Sequence, residues 1–490
     1  MSQSYKIIRD PVHGYIKIPD VLCQKFIDTP IFQRLRSIEQ TSMRCLFPGG
    51  RHDRFIHSLG VYHLANRLYD GLLFNTKGHE EIASIIKDEK MRLTFEVAAL
   101  MHDCGHAPFS HTTEFLYNKN GSGSSHNNTY NSLMGIVDSV ACAEFDFNGI
   151  KRRKPADHEA MSAYVLLKCY KAELKELGID ATLAARMITG VVHLRPETLE
   201  EKIENILIRL INGDAIDVDK LDYVVRDTWA SGVKNSAIDI GRLLDAAVID
   251  EKDGEPCFSY RSSALSVIQT VIDARNYLYE WIYGHHTVIY YAELLKRLCL
   301  MFGNEVKNDS TAANLFLSEM FSTKIFDLSG DSSVTKDILP IYLLNDGDVM
   351  AILKKYLRKH PFYQAIEAHV PAHFPIWKTE AEFKAYVHAD KRTSFSAETC
   401  VNLFNEKYGL SDENCFFCNG MSSKLYDIEP KAVKIRMPDG KVFHFTDLAN
   451  VTSHPSISNS RANPFSYIFV DNSFKTKRND LLNLINQYEW

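Results

Sequence analysis

The stretch Phe95–His111, reading FEVAALMHDCGHAPFSH, constrains this chain more than any other. An apolar run ends in the adjacent pair His102–Asp103 and then offers His106 and His111. Burying two such polar side chains is costly unless a partner satisfies them. A divalent metal suits neutral imidazole and carboxylate together. A solvated pair at a helix end is the other reading of the dipeptide alone. One helix is expected to run through this stretch until Cys104–Gly105 loosens it and Pro108 stops it, with His102 and His106 sharing a face. His111 and Glu114, three residues apart, continue the polar set.

Other segments supply matching chemistry. His57 lies at the entrance of a helix whose Val61, Leu64, Ala65, Leu68 and Leu72 keep a helical period, and Arg54 lies three residues before it. Thr29 and Pro30 suit a helix start, and Gln33, Arg36 and Gln40 would then share one polar face. That face is either a solvated stripe or a surface that recognises a base or phosphate. Asp157-His158-Glu159 opens another helix. A long helix is expected near Ile203–Trp229, with Asp219, Tyr223 and Arg226 or Asp227 on one face and Lys220 beside them. A further helix over Val271–Arg297 steps Arg275, Tyr279 and Tyr283 along one side, a cation with two phenols.

From about residue 300 the character changes. Helical patterns continue to about Phe383; then Ala432–Phe445 reads as strand, turn and strand around Met437–Gly440, and Tyr467–Val470 as one more strand. The expected division is a catalytic core over 1–300, a helical extension over 301–385 and an α+β region over 386–490 that serves oligomer contact. The Gly/Ser/Asn-rich tract Asn118–Asn131 is either a lid or a tolerated surface insertion.

Composition excludes some classes. A net charge of −6 and a pI near 6.3 give no general nucleic-acid-binding surface, although Lys151–Lys154 is a local basic run. There is no apolar leader in MSQSYKIIRD and no run of the ~18 apolar residues that span a bilayer, so no membrane partner is expected. Ten scattered cysteines suit a reducing, cytoplasmic compartment, with Cys415 and Cys418 as buried thiols. Together, His57, His102, Asp103 and Asp219 offer two imidazoles and two carboxylates. That N/O set suits Mn, Fe, Zn, Ni or Mg and the metal-assisted hydrolysis of a phosphoester.

Six ordered blocks then carry a resemblance: DPVHGYI (10–16), IDTPIFQRLRSIEQ (27–40), FPGGRHDRFIHSLGV (47–61), MHDCGHAPFSH (101–111), DHEAMS (157–162) and NGDAIDVDKLDYVVRD (212–227). Over roughly residues 5–300 the chain resembles the HD-domain deoxynucleoside triphosphate triphosphohydrolases. The similar branch contains the mammalian SAM-and-HD-domain dNTPase and its bacterial relatives, here with no SAM domain before the core.

The resemblance implies a mainly α fold, an HD-domain helical core with a C-terminal α+β region. It implies hydrolysis of a dNTP to deoxynucleoside and intact triphosphate, with His57, His102, Asp103 and Asp219 as metal ligands and a second Mg carried with the nucleotide phosphates. His111 matches the donor of a proton to the 5′-oxygen, supported by Glu114, with His158 and Glu159 as further catalytic positions. Arg54, His106, Lys220 and Arg275 match triphosphate-binding positions, and Gln40, Tyr223, Asp227 and Tyr283 residues around the sugar. Lys6, Asp28, Gln33 and Arg36 match an activator pocket for GTP or a dNTP, which implies nucleotide-driven assembly into a homo-oligomer such as a tetramer. Arg9 stands where the family has Asn. Two other readings of the residues stay open: an HD nucleotidase acting on monophosphates or a signalling nucleotide, and a nucleotide-sensing or nucleic-acid-binding protein with a vestigial HD site.

Overall fold

The computed structural model describes residues 4–76, 79–114, 156–233, 238–305, 343–419, 432–448 and 465–490. The tract 118–131 and the basic run 151–154 lie outside them. The fold is mainly helical and built around the helix Arg54–Asn75, which is apolar on nearly every side and buried for most of its length. Asp53 caps it by accepting from the Ile56 amide at 2.9 Å. The helices Glu89–Met101 and Val218–Ser231 pack directly against it. Fully burying one of its Leu or Val side chains stabilises the fold by about 1.5–3 kcal/mol.

Four expected helices are shorter than their patterns. The run after Phe95 ends at Met101, with His102 as its last, half-helical residue, and a single 3-10 turn follows at Ser110–Thr112. Pro108 lacks an amide, and Gly105 lies so close to the Met161–Ser162 backbone that no β-carbon would fit. His102 and His106 therefore do not share a helical face. The expected helix near Ile203–Trp229 is two, Leu199–Ile211 and Val218–Ser231. Asn212–Gly213 breaks it, and the Asp217 carboxylate restarts it by accepting from Lys220 N at 2.8 Å. The helix begun at Thr29 spans just Pro30–Gln33 before a 3-10 turn, Arg34–Ser37. An isolated bridge between Glu39 and Asp53 then draws the backbone out straight, so Gln40 leaves the face of Gln33 and Arg36. Val271–Arg297 divides into the end of Leu265–Tyr277, a π-helical turn Leu278–Tyr283, and His286–Glu305.

Among the described residues, three small sheets accompany the helices. Tyr5–Asp10 and Gly14–Pro19 form a hairpin in the register Ile8↔Ile16. Ala247–Lys252 and Glu255–Arg261 form a second hairpin, closed by Asp253–Gly254 with both residues at positive φ. The turn pair Lys434–Arg436 and Val442–His444 joins the latter sheet, the first of its strands running parallel to Glu255–Arg261. Val433, Ile435 and Phe445 accordingly belong to the first, larger hydrophobic core. The third sheet orders His373–Pro375, Ser466–Asp471 and Cys415–Asn419. It lies in a second core that begins at Tyr290 and takes residues from both sides of position 385. Cys415 and Cys418 are buried there as free thiols. Among the described residues no helix is long and apolar enough to cross a membrane.

Candidate active site

His57 projects from the first turn of Arg54–Asn75, His102 and Asp103 from the end of Glu89–Met101, and Asp219 from the first turn of Val218–Ser231. Their donor atoms converge. His57 Nε2 lies 3.3 Å from His102 Nε2, 3.6 Å from Asp103 Oδ2 and 3.1 Å from Asp219 Oδ1. His102 Nε2 lies 3.5 and 3.8 Å from the same two oxygens. Donors bound to one ion at 2.0–2.2 Å stand about 3–3.5 Å apart, so His57, His102 and Asp103 fit a single divalent metal, with Asp219 beside the two imidazoles at the edge of the group. Both imidazoles are aimed inward from behind: His57 Nδ1 pairs with Asp222 Oδ2 at 2.7 Å, and His102 Nδ1 with the Ala99 carbonyl at 2.8 Å. Asp219 is the open edge of the set, 38% exposed, whereas the other three are buried.

Burial works against charge on His57, but Asp219 and Asp222 prevail and hold its imidazole up to about 10. Burial would likewise raise Asp103, yet Arg54 and the surrounding histidines hold it well below the carboxylate range. A pocket that holds a proton on imidazole this firmly is one that draws a cation, and a bound metal would displace that proton.

Behind the quartet stands a network centred on Asp222, a residue with no sequence expectation attached to it, and on Arg226, expected as the alternative to Asp227 on the face of Asp219. Asp222 accepts from His57, from Arg226 Nε and Nη2 at 2.7 and 2.9 Å, and pairs with His13 Nε2 at 2.6 Å. Arg226 also donates to Asp10 at 2.8 Å, and Asp10 caps the hairpin turn through the amides of Val12 and His13. Arg226 thus turns away from the site and Asp227 towards it. Gly60 makes room, because a β-carbon there would collide with Asp222 and Arg226. The available signal was Asp222 and Arg226 four apart, a helical ion pair in an already acidic run.

A second cluster adjoins the first. Glu114 is shared by two histidines: His158 Nδ1, in a short contact with Oε1, and His111 Nδ1, 3.0 Å from Oε2. His106 stacks on His158 with ring centres 4.5 Å apart, and its Nε2 is 3.8 Å from Glu114. Burial disfavours charge on His158, but Glu114 outweighs it and lifts the imidazole to about 9. Burial and then Arg54 push His106 well down, so it is neutral. His111 is 64% exposed, and the rest of the cluster is not. Glu159 turns back to accept from Ala156 N at 2.7 Å, capping its helix, and its charge adds to the field that favours a proton on His158.

Arg54 separates the clusters, donating to Asp103, to Ser110 Oγ at 2.7 Å and to the Gln40 carbonyl at 3.3 Å. Lys220 bonds Asp217 and the Gly213 carbonyl. Arg275 lies over the Tyr279 ring at 4.4 Å and donates to Tyr223 Oη at 2.8 Å. Tyr283 donates to Asp227, which also pairs with His52 Nε2 at 2.6 Å. The Gln40 side-chain oxygen is buried with no hydrogen bond from a described residue. Lys6, Asp28, Gln33 and Arg36 lie elsewhere, in one surface chain: Lys6 to Asp28 at 3.2 Å, Gln33 to the Ile27 carbonyl at 2.9 Å, and Arg36 to Gln33 at 2.8 Å. Arg36 also lies 3.5 Å above the Phe55 ring, next to Arg54 in the chain.

A helical scaffold that gathers two histidines and two aspartates agrees with an HD domain. Residues 54–132 match the HD domain family, so the chain carries an HD domain. Over 478 residues it is 26% identical to deoxynucleoside triphosphate triphosphohydrolase SAMHD1 of Bos taurus, covering 90% of this chain and 74% of that protein. In fold it is similar to a hypothetical protein from Aquifex aeolicus, at TM-score 0.63, 20% identity and coverage of 98% and 100%. It is likewise similar to a phosphohydrolase from Bacteroides thetaiotaomicron, at TM-score 0.62, 20% identity and coverage of 95% and 99%.

Proposed function

We propose that this protein hydrolyses deoxynucleoside triphosphates to deoxynucleoside and inorganic triphosphate. The observation that carries the reading is the adjacency of a four-donor metal site and a carboxylate-bound histidine cluster that holds a proton. His57, His102, Asp103 and Asp219 would hold a divalent ion, which would supply an activated water and polarise a phosphoryl oxygen. The chain's own residues do the remainder. The bond between the α-phosphorus and the 5′-oxygen breaks, and that oxygen needs a proton to leave as an alcohol. His111 is the exposed imidazole of its cluster and donates that proton, while Glu114 orients it and keeps His158 charged behind it.

Arg54, Lys220 and Arg275 offer cations to the polyphosphate, and neutral His106 a hydrogen bond. Tyr283, fixed by Asp227, and Tyr223, fixed by Arg275, form an aromatic wall for the sugar with Gln40 near it. A phenol packed beneath C2′ would reject a 2′-hydroxyl. Lys6, Asp28, Gln33 and Arg36 bind an activating nucleotide in this reading, as Arg and Asp suit the donors and acceptors of guanine. The adjoining hairpin exposes Tyr5, Ile7 and Tyr15, which suits assembly into a homo-oligomer on activation.

The test is direct. Purified chain with Mn2+ is incubated with each dNTP, singly and mixed, and the nucleosides and phosphates are resolved. Deoxynucleoside with intact triphosphate supports the proposal, and turnover confined to mixtures supports the activator. Release of single phosphates, or turnover of monophosphates alone, overturns it.

A further inference from the structure

The turn that carries the histidine cluster is held from outside the first core. Phe109 and Ser110 both adopt left-handed backbone, at φ 58° and 54°, although neither is glycine. Such conformations persist where the surroundings over-determine them. Three restraints meet here. Asp346, at the start of the helix Asp346–Leu357, accepts from the Phe109 amide at 2.6 Å through Oδ1 and from the Glu39 amide at 2.8 Å through Oδ2. Arg34 is buried and donates to the Cys104 and His106 carbonyls at 3.1 and 2.7 Å, and to Leu344 O at 2.8 Å. The Phe109 side chain packs against the second core, to which Leu344, Val349 and Leu353 also belong.

We infer that Asp346 is a positioning residue, through which the second core clamps the Phe109–Ser110 turn and sets His111 for proton transfer. The consequences of the turn are local and specific. Ser110 Oγ accepts from Arg54 Nε, so the same turn steadies the guanidinium that holds Asp103. His111 follows immediately and reaches Glu114. The metal donors stand on three other elements, so releasing the turn displaces the proton donor and leaves the metal quartet standing. A displacement of about 1 Å between reacting groups lowers turnover on the order of a hundredfold.

The experiment compares the full-length wild type with Asp346→Ala and Asp346→Asn. Asn keeps the size and one acceptor oxygen, but turns an amide NH2 towards one of the two N–H groups. Amide exchange at Glu39 and Phe109, Mn2+ affinity by titration, and kcat and KM for a dNTP mixture are measured. The expected result is about tenfold faster exchange at both amides in Asp346→Ala and a kcat lower by about a hundredfold. KM and Mn2+ affinity should stay within threefold of wild type, and Asn should lie between. Unchanged exchange at Phe109 overturns the clamp. So does unchanged kcat, or accelerated exchange through both cores with joint loss of Mn2+. The kcat arm rests on the proposed hydrolysis. A wild type that releases no triphosphate fails that reading, while the exchange arm still decides the clamp.

Discussion

The two clusters at the candidate site use nearly the same side chains and are built for opposite tasks. The first has two carboxylates for two imidazoles, and a third carboxylate, Asp222, behind them. The second has three imidazoles around the single carboxylate of Glu114. An excess of anionic oxygen makes a cation site; an excess of imidazole makes a store of protons. Arg54 stands between them, bonded to Asp103 on one side and, after burial, disfavouring charge on His106 on the other. Composition alone would let either group hold a metal. In the second, however, the Nδ1 atoms of His111 and His158 both already face Glu114.

Removing a donor from the first cluster should have the largest effect. Asp103→Ala deletes a ligand and leaves Arg54 unpaired in a buried site. Turnover should fall on the order of a thousandfold or more, since the metal stabilises the transition state by several kcal/mol. The bound Mn2+ should fall from one ion per chain to none by equilibrium dialysis. Two ions per wild-type chain would break the contrast between the clusters.

Glu114→Gln addresses the second cluster and should cost about a hundredfold in kcat, the usual scale for a supported general acid. Its signature is in the pH profile. Glu114 lifts His158 to about 9, so the charged form is lost as pH rises through that value. The wild-type alkaline limb should lie there and move to lower pH in the variant. Stability follows the same sign: the folded pKa exceeds the ordinary imidazole value of ~6.5, so this contribution is complete below that pH and gone above about 9. Mn2+ binding should not change. An alkaline limb that stays in place would show that Glu114 does not govern the proton.

Asp222→Asn probes what aims the first cluster without touching the metal. It weakens the bond that fixes the His57 ring, and loss of such a partner typically costs 10–100-fold in metal affinity. The readout is the Mn2+ dissociation constant, and an unchanged value would show that His57 is aimed by packing alone.

The donors were more legible than their arrangement. His102 and Asp103 stand out because polar metal-binding types end an apolar helical run, whereas His57 and Asp219 gain their place beside them from the company of the other residues and from the resemblance. Asp222 does not stand out, and Arg226 does so only as the alternative to Asp227 on the face of Asp219, because a helical ion pair looks the same in sequence whether it is solvated or buried. Helix ends were misjudged where tertiary contacts override periodicity: Gly105 against Ser162, and Glu39 paired with Asp53. The hairpin at Ala247–Arg261 carries the turn pair Asp253–Gly254, a signal that the surrounding helical pattern obscured. The restraint of Phe109 by Asp346 spans 237 residues, and no local pattern encodes a contact at that separation.

The proposed sugar wall offers the gentlest test of the same contrast, because it belongs to neither cluster. Tyr283 is buried, and burial together with the Asp227 carboxylate holds its phenol protonated and donating. Tyr283→Phe keeps the ring and removes that one bond, leaving Asp227 with His52. A hydrogen bond to a charged group contributes about 1.5–3 kcal/mol, but His52 remains and the ring still packs, so about a tenfold rise in KM is expected. The preference for deoxyribose over ribose should persist, because it depends on the ring's bulk. Substitution by Ala should relax it. If Phe instead lowers kcat and leaves KM alone, Tyr283 acts on the reacting atoms, and the division into a metal site, a proton store and a passive wall would have to be redrawn.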